Sequence, residues 1–159
     1  MFIVEINIPG RGKPFIENLL LDYNGTIACD GEVIASIKEK IGEVKKKGIS
    51  VHVVTADTHG TVRKQCADLP VDIRIFDHSN AAENKREIAE ELGAEHCVCI
   101  GNGWNDGLMF EACSISIIVI GDEGCSAQSL LKADIVCKGI HDAFDLILKP
   151  NRLIATLRG

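Results

Sequence analysis

The chain lacks any apolar run long enough to cross a bilayer. Its longest uninterrupted stretches are only as long as "IIVI", Ile117 to Ile120, whereas a helical span needs ~20 residues, so a membrane protein of that kind is excluded. It also lacks basic excess: 17 Lys and Arg stand against 23 Asp and Glu, a formal net charge of −6. A broad nucleic-acid surface requires the opposite balance. Seven cysteines contain no CxxC pair, which removes the usual zinc frameworks. Their odd number and irregular spacing point to reduced thiols in a cytoplasmic protein, with Cys97 and Cys99 of "CVCI" as small core residues. The N-terminal "MFIVEINIPG" alternates apolar and polar residues and reads as a strand rather than a signal peptide. There is no repeat, low-complexity segment or linker, so residues 1–159 form one domain with room for a substantial core.

What is present is a strand–helix alternation. Extended runs at 2–8 and 15–22 flank the turn residues "PGRGKP", which predicts an N-terminal β-hairpin extension over residues 1–20. "GEVIASIKEKIGEVKKKG" places Val33, Ile34, Ile37, Ile41 and Val44 at helical spacing, with Lys45 to Lys47 as its basic C-terminus. Strands "ISVHVVT", "VDIRIF", "HCVCIG", "ISIIVIG" and "DIVCK" then alternate with helices "THGTVRKQCADL", "NAAENKREIAEELG", a short one from Asn105, "CSAQSLLKA" and "IHDAFDLIL", and "NRLIATLRG" closes the chain. This order predicts an α/β, Rossmann-like, three-layer doubly wound and mostly parallel sheet. Ligands of such sheets sit at the carboxyl ends of the strands, near the switch in strand order.

Four loops bring chemistry to that edge. Asp22 ends "LLLD" and the turn "YNGT" follows. Thr55 ends "VHVVT", Lys85 opens "KREIAEELG", and "GNGWNDG" carries Asn102, Asn105 and Asp106. Two carboxylates, a hydroxyl and an ammonium suit a phosphoryl group bound with Mg²⁺, which prefers few carboxylates, several waters and phosphate oxygens. Each residue also has a plainer reading. Asp22 then caps a turn, Thr55 is an ordinary strand-end residue, and Lys85 is a solvated lysine in a first helical turn. Asp57 and His59 either touch a leaving group or serve the surface. Trp104 either stacks on a substrate or packs over its loop.

The set "DYNGT", "TADTHGT", Lys85 and "GNGWND", in this order and with the tail "NRLIATLR", resembles the haloacid dehalogenase-like superfamily. The likeness is to its small soluble P-type ATPase-like phosphatase branch without a cap domain, and it covers nearly the whole chain. The resemblance implies a Mg²⁺-dependent phosphohydrolase in which Asp22 is the nucleophile forming an aspartyl-phosphate. It implies that Asp22, the Asn24 carbonyl, Asn102 and Asp106 hold the metal. Thr55, Ala56, Lys85 and Asn105 would then bind the phosphoryl group, and Lys85 would also steady Asp22. Thr26 is expected to fix the turn through its hydroxyl. The implied substrate is a phosphorylated small molecule or a phosphoprotein. An uncapped site stays open or borrows cover from a neighbouring subunit, and the N-terminal hairpin is the candidate for that cover or for pairing two chains.

Two positions depart from the superfamily pattern. Asn24 stands where most of its phosphatases carry a second aspartate, and an amide cannot exchange a proton usefully near neutral pH. Asn102 stands at a metal position usually held by aspartate. Both departures predict slow turnover, and they leave a second reading open: a phosphate-binding regulatory module without significant turnover.

Overall fold

The computed structural model describes residues 4–57 and 60–159. A hairpin of β1 (Val4–Glu5) and β2 (Phe15–Ile16) opens the chain, and the central sheet follows at once with β3 (Asn18–Asp22). The run 15–22 expected as one hairpin strand is therefore divided at Glu17, whose amide and carbonyl bond His96 and Ser50. The remaining central strands are β6 (Ser50–Thr55), β7 (Asp72–Ile75), β8 (Cys97–Gly101), β9 (Ile115–Val119) and β10 (Ile135–Cys137). They pair in the order β10-β9-β8-β3-β6-β7, every neighbour parallel.

Residues 31–34, expected at the start of a long helix, form a second small hairpin instead, β4 (Ala28–Cys29) with β5 (Glu32–Val33). Helix α1 begins only at Ile37 and ends at Lys46. Gly31 and Ser36 both adopt positive φ, 83° and 69°, and no α-helix runs through such residues. The helix expected from Thr58 is reduced to α2 (Val62–Gln65), and its first two residues lie outside the described ones. The other helices are α3 (Ala81–Glu91), α4 (Gly107–Ala112), α5 (Ala127–Leu130), α6 (Ile140–Leu148) and α7 (Pro150–Leu157).

Alternation along β3 and β8 divides the core into two layers. Leu19, Leu21, Val98 and Ile100 pack with Ile37, Ile41, Phe144 and Leu153 on one face. Leu20, Cys97 and Cys99 pack with Ile88, Met109 and Phe110 on the other. Strands buried on both faces are uniformly apolar, as parallel sheets require. The fold is thus the expected three-layer α/β sandwich with an N-terminal hairpin.

That hairpin lies at the amino ends of the strands. Arg11 pairs with Asp134, just before β10, at 3.0 Å, Phe15 stacks on His96, just before β8, and Gly159 donates its amide to the Pro9 carbonyl at 2.8 Å. It therefore seals the sheet end opposite Asp22. The strand order reverses between β3 and β8, and their carboxyl ends define the crevice.

Candidate active site

Three buried leucines, Leu19 to Leu21, drive β3 into the sheet centre and carry Asp22 to its tip, 7% exposed. The chain then turns tightly because the Tyr23 carbonyl accepts from the amides of Thr26, Ile27 and Ala28 at 3.2, 3.1 and 3.0 Å. The Asn24 carbonyl takes part in none of these bonds. Gly25 is needed here, since its φ is +78° and a Cβ would lie 2.2 Å from Asn102 Nδ2. Thr26, expected to fix the turn, does so by donating its hydroxyl to Asp22 Oδ2 at 3.0 Å, so it belongs to the site itself.

Lys85 does not open its helix. Helix α3 starts at Ala81, one turn earlier, and the lysine side chain is 2% exposed. The solvated-lysine reading is thereby removed. Its three N–H groups donate to Asp22 Oδ1 at 2.8 Å, Asp106 Oδ1 at 2.7 Å and Asn105 Oδ1 at 2.9 Å, which uses every donor the ammonium has. Burial opposes this charge, but the Asp106 and Asp22 carboxylates outweigh it and hold the lysine well above its usual range. Asp22 is pushed the other way. Burial, then the nearby Asp106 charge, raises its carboxyl to about 6 against the pull of Lys85 and Thr26.

Asp106 is fully buried. Its Oδ1 takes Lys85, and its Oδ2 accepts the amides of Asn102 at 3.1 Å and Gly103 at 2.8 Å. A Cβ on Gly101 would stand 2.4 Å from that oxygen, so the strand must end in glycine for the loop to close. Asp106, expected among the metal ligands, therefore has its two oxygens unequally occupied: Oδ1 accepts one donor and Oδ2 accepts two. Asn102 is freer: its Nδ2 donates to the Gly124 carbonyl at 3.1 Å, and its Oδ1 lies 3.3 Å from the Thr26 hydroxyl. Asp22 Oδ2 and Asn102 Oδ1, which accept only the Thr26 hydroxyl, Asp106 Oδ1, which accepts only Lys85, and the Asn24 carbonyl keep lone pairs for a hard cation. Two carboxylates and one ammonium leave a single net negative charge, an arrangement that fits a dication more weakly than three carboxylates do.

Thr55 is buried at the tip of β6, beside the strand that carries Asp22. Its Oγ1 accepts the Asp57 amide at 3.1 Å, and its own proton has no acceptor among the described residues. Ala56 is half-buried next to it. Asp57 Oδ1 accepts the amides of Thr61 and Val62 at 3.0 and 3.2 Å, at the start of α2. His59 lies outside the described residues. Trp104 does not pack over the loop. It is 68% exposed, and its Nε1 donates to Gln128 Oε1 at 2.6 Å. Sequence reasoning missed the tight approaches at Gly25 and Gly101 and the Gly124 carbonyl that anchors Asn102. Only the glycine density of the two loops hinted at them.

The sequence matches the haloacid dehalogenase-like hydrolase family over residues 5–114. The chain belongs to this family of hydrolases. An uncharacterized protein of Methanocaldococcus jannaschii is 47% identical over 78 residues, 46% of this chain and 84% of that one. A soluble P-type ATPase-like phosphatase of the same organism is 25% identical over 126 residues, covering 78% of this chain but only 46% of that protein. Among solved structures, the 3-deoxy-D-manno-octulosonate 8-phosphate phosphatase of Moraxella catarrhalis superposes with a TM-score of 0.68 over 90% of this chain and 94% of that one, at 20% identity. That structure contains magnesium and phosphate ions. Among the described residues, no helix is long and apolar enough to cross a membrane.

Proposed function

We propose that this hydrolase is a phosphohydrolase acting through an aspartyl-phosphate on Asp22. The observation that carries the reading is the Lys85 ammonium clamped between Asp22 and Asp106 at the switch point of the sheet. The substrates are phosphorylated small molecules, with phosphoproteins admitted by the open site. The phosphatase names of the two relatives above support the chemistry, and the unpaired cysteines suit a reducing, cytoplasmic setting.

In this reading the Asp22 carboxylate attacks phosphorus and the bond to the leaving oxygen breaks. The leaving oxygen takes a proton from water, because Asn24 has none to give. Water then attacks the acyl-phosphate, releases phosphate and restores Asp22. Lys85, the Thr55 hydroxyl and the Ala56 backbone neutralise the phosphoryl oxygens, while Asn105 keeps Lys85 aimed. Asp22, the Asn24 carbonyl, Asn102 and Asp106 would hold a divalent cation of the Mg²⁺ type, which screens the repulsion between carboxylate and phosphate dianion. Asp106 also positions Lys85 and the loop. General acid–base help is worth ~10²–10⁴ in rate, so the reaction is slow by ~3–5 kcal/mol of unassisted barrier.

Purified protein with Mg²⁺ and an activated aryl phosphate tests this. Turnover should disappear in Asp22→Asn and with a chelator, and Asn24→Asp should raise it by at least tenfold. Equal turnover by Asp22→Asn would remove Asp22 from the mechanism. Asn24 and Asn102 favour one second reading, a phosphate-binding module without turnover. Saturable phosphate binding with no hydrolysis of any phosphoester would select it.

A further inference from the structure

Beside the phosphoryl centre runs a groove of ≈ 530 Å³ between the start of α3, the Trp104 turn and α5. This is within the ~300–1,000 Å³ of ordinary small-ligand sites. One of its lining residues is Asn105, whose side chain accepts from Lys85 at 2.9 Å, and Lys85 in turn donates to Asp22, so the groove is linked to the reacting carboxylate through one amide and one ammonium. Its most distinctive wall is Trp104. An indole 68% exposed forgoes most of the apolar burial that a tryptophan normally provides. The ring is nevertheless held in place: its N–H donates to Gln128, and the residue's carbonyl accepts the Ser129 hydroxyl at 3.2 Å. A fixed, open aromatic face costs little further entropy when a flat partner stacks on it.

The rest of the lining narrows the partner. Ala81, Ala82 and Leu108 supply small apolar surface, while Asn80 and Gln128 offer amide donors and acceptors. Its ionisable residues are His78, Glu83 and Lys132, and the Lys132 ammonium is already paired with Glu111 at 3.2 Å. Such a wall suits an uncharged, planar, heteroatom-bearing ring rather than a second anion. The groove on the other flank of the centre, beside Gly25 and Thr26, is only ≈ 290 Å³ and carries Asp122 and Glu123 against Lys138, a poor neighbour for a phosphate ester.

We infer that the Trp104 groove is a leaving-group subsite for phosphate esters of alcohols that carry a planar heteroaromatic ring, of nucleoside size. The inference rests on the phosphohydrolase reading for its substrate but not for its binding measurement. Trp104 is the chain's one tryptophan, so its fluorescence reports this groove alone. Adenosine, which carries no phosphate, should quench it saturably in wild-type protein, and a neutral sugar should not. In turnover, kcat/KM for a nucleoside monophosphate over that for a sugar phosphate should fall about tenfold in Trp104→Ala and be retained in Trp104→Phe. Absence of saturable quenching, or an unchanged ratio in Trp104→Ala, overturns the subsite while leaving phosphoester hydrolysis intact. Quenching in a protein that hydrolyses no phosphoester keeps the ring site and removes the phosphohydrolase reading instead.

Discussion

Lys85 holds two buried carboxylates on one ammonium, and the asymmetry of that arrangement governs what single substitutions do. Removing one partner of a buried ion pair leaves uncompensated charge and costs about 3–5 kcal/mol. Lys85→Met strands Asp22 and Asp106 together, both under a tenth exposed, so chemical denaturation of the metal-free variant should show a loss of that size. Adding Asp22→Asn to Lys85→Met should return part of the loss, because only one unpaired charge then remains. A Lys85→Met protein as stable as wild type would mean that the site is wetter than its burial implies. At this scale the sequence was informative: Asp22, Lys85, Asn105 and Asp106 do converge. The division of labour was not legible, because whether Asp106 faces a cation or a lysine depends on loop closure, which no spacing rule encodes.

At the scale of elements, the site depends on strand tips that admit no side chain. Gly101 ends β8 where a Cβ would meet Asp106 Oδ2 at 2.4 Å and Cγ at 2.5 Å. Gly101→Ala must push Asp106 off Lys85 or bend the strand, and overpacking of this kind costs about 1–3 kcal/mol. The expected outcome is a lower denaturation midpoint together with lost turnover, whereas Gly103, whose added Cβ would meet nothing closer than 3.5 Å, should tolerate alanine in activity far better. Elements with strong periodicity were readable from the sequence, because burial on both faces leaves few alternatives for β3, β6, β8 and β9. The segment 31–36 was not. Its apolar spacing fits a helix, but the backbone is left-handed at Gly31 and Ser36, and the segment forms a hairpin. The same limit applied to the N-terminal hairpin. Its existence followed from turn residues, but its seat at the far end of the sheet depended on partners as remote as Asp134 and Gly159.

For the whole molecule, the buried charges make stability a function of pH, and two groups pull in opposite directions. Asp22 has an ordinary value of 3.8 and is raised to about 6 in the fold. Above pH 6 it is ionised in both states, and the folded protein bears the cost of the buried charge. As pH falls through 6, the folded state takes up the proton first and gains stability, until the unfolded chain catches up near 3.8. His52, lowered from 6.5 chiefly by burial, acts with the reverse sign. The unfolded chain binds its proton first as pH drops through 6.5, so that contribution is lost on acidification. A bare stability profile mixes the two, but the difference between wild type and Asp22→Asn cancels the histidine. In chelator-treated protein the asparagine variant should be the more stable at pH 7–8, by about 2–3 kcal/mol if the shift is about two units. That advantage should shrink through pH 6 and vanish below pH 4. A difference independent of pH would show that Asp22 titrates at its ordinary value and that Lys85 neutralises it fully. The folded site would then favour neither protonation state of Asp22 over the unfolded chain.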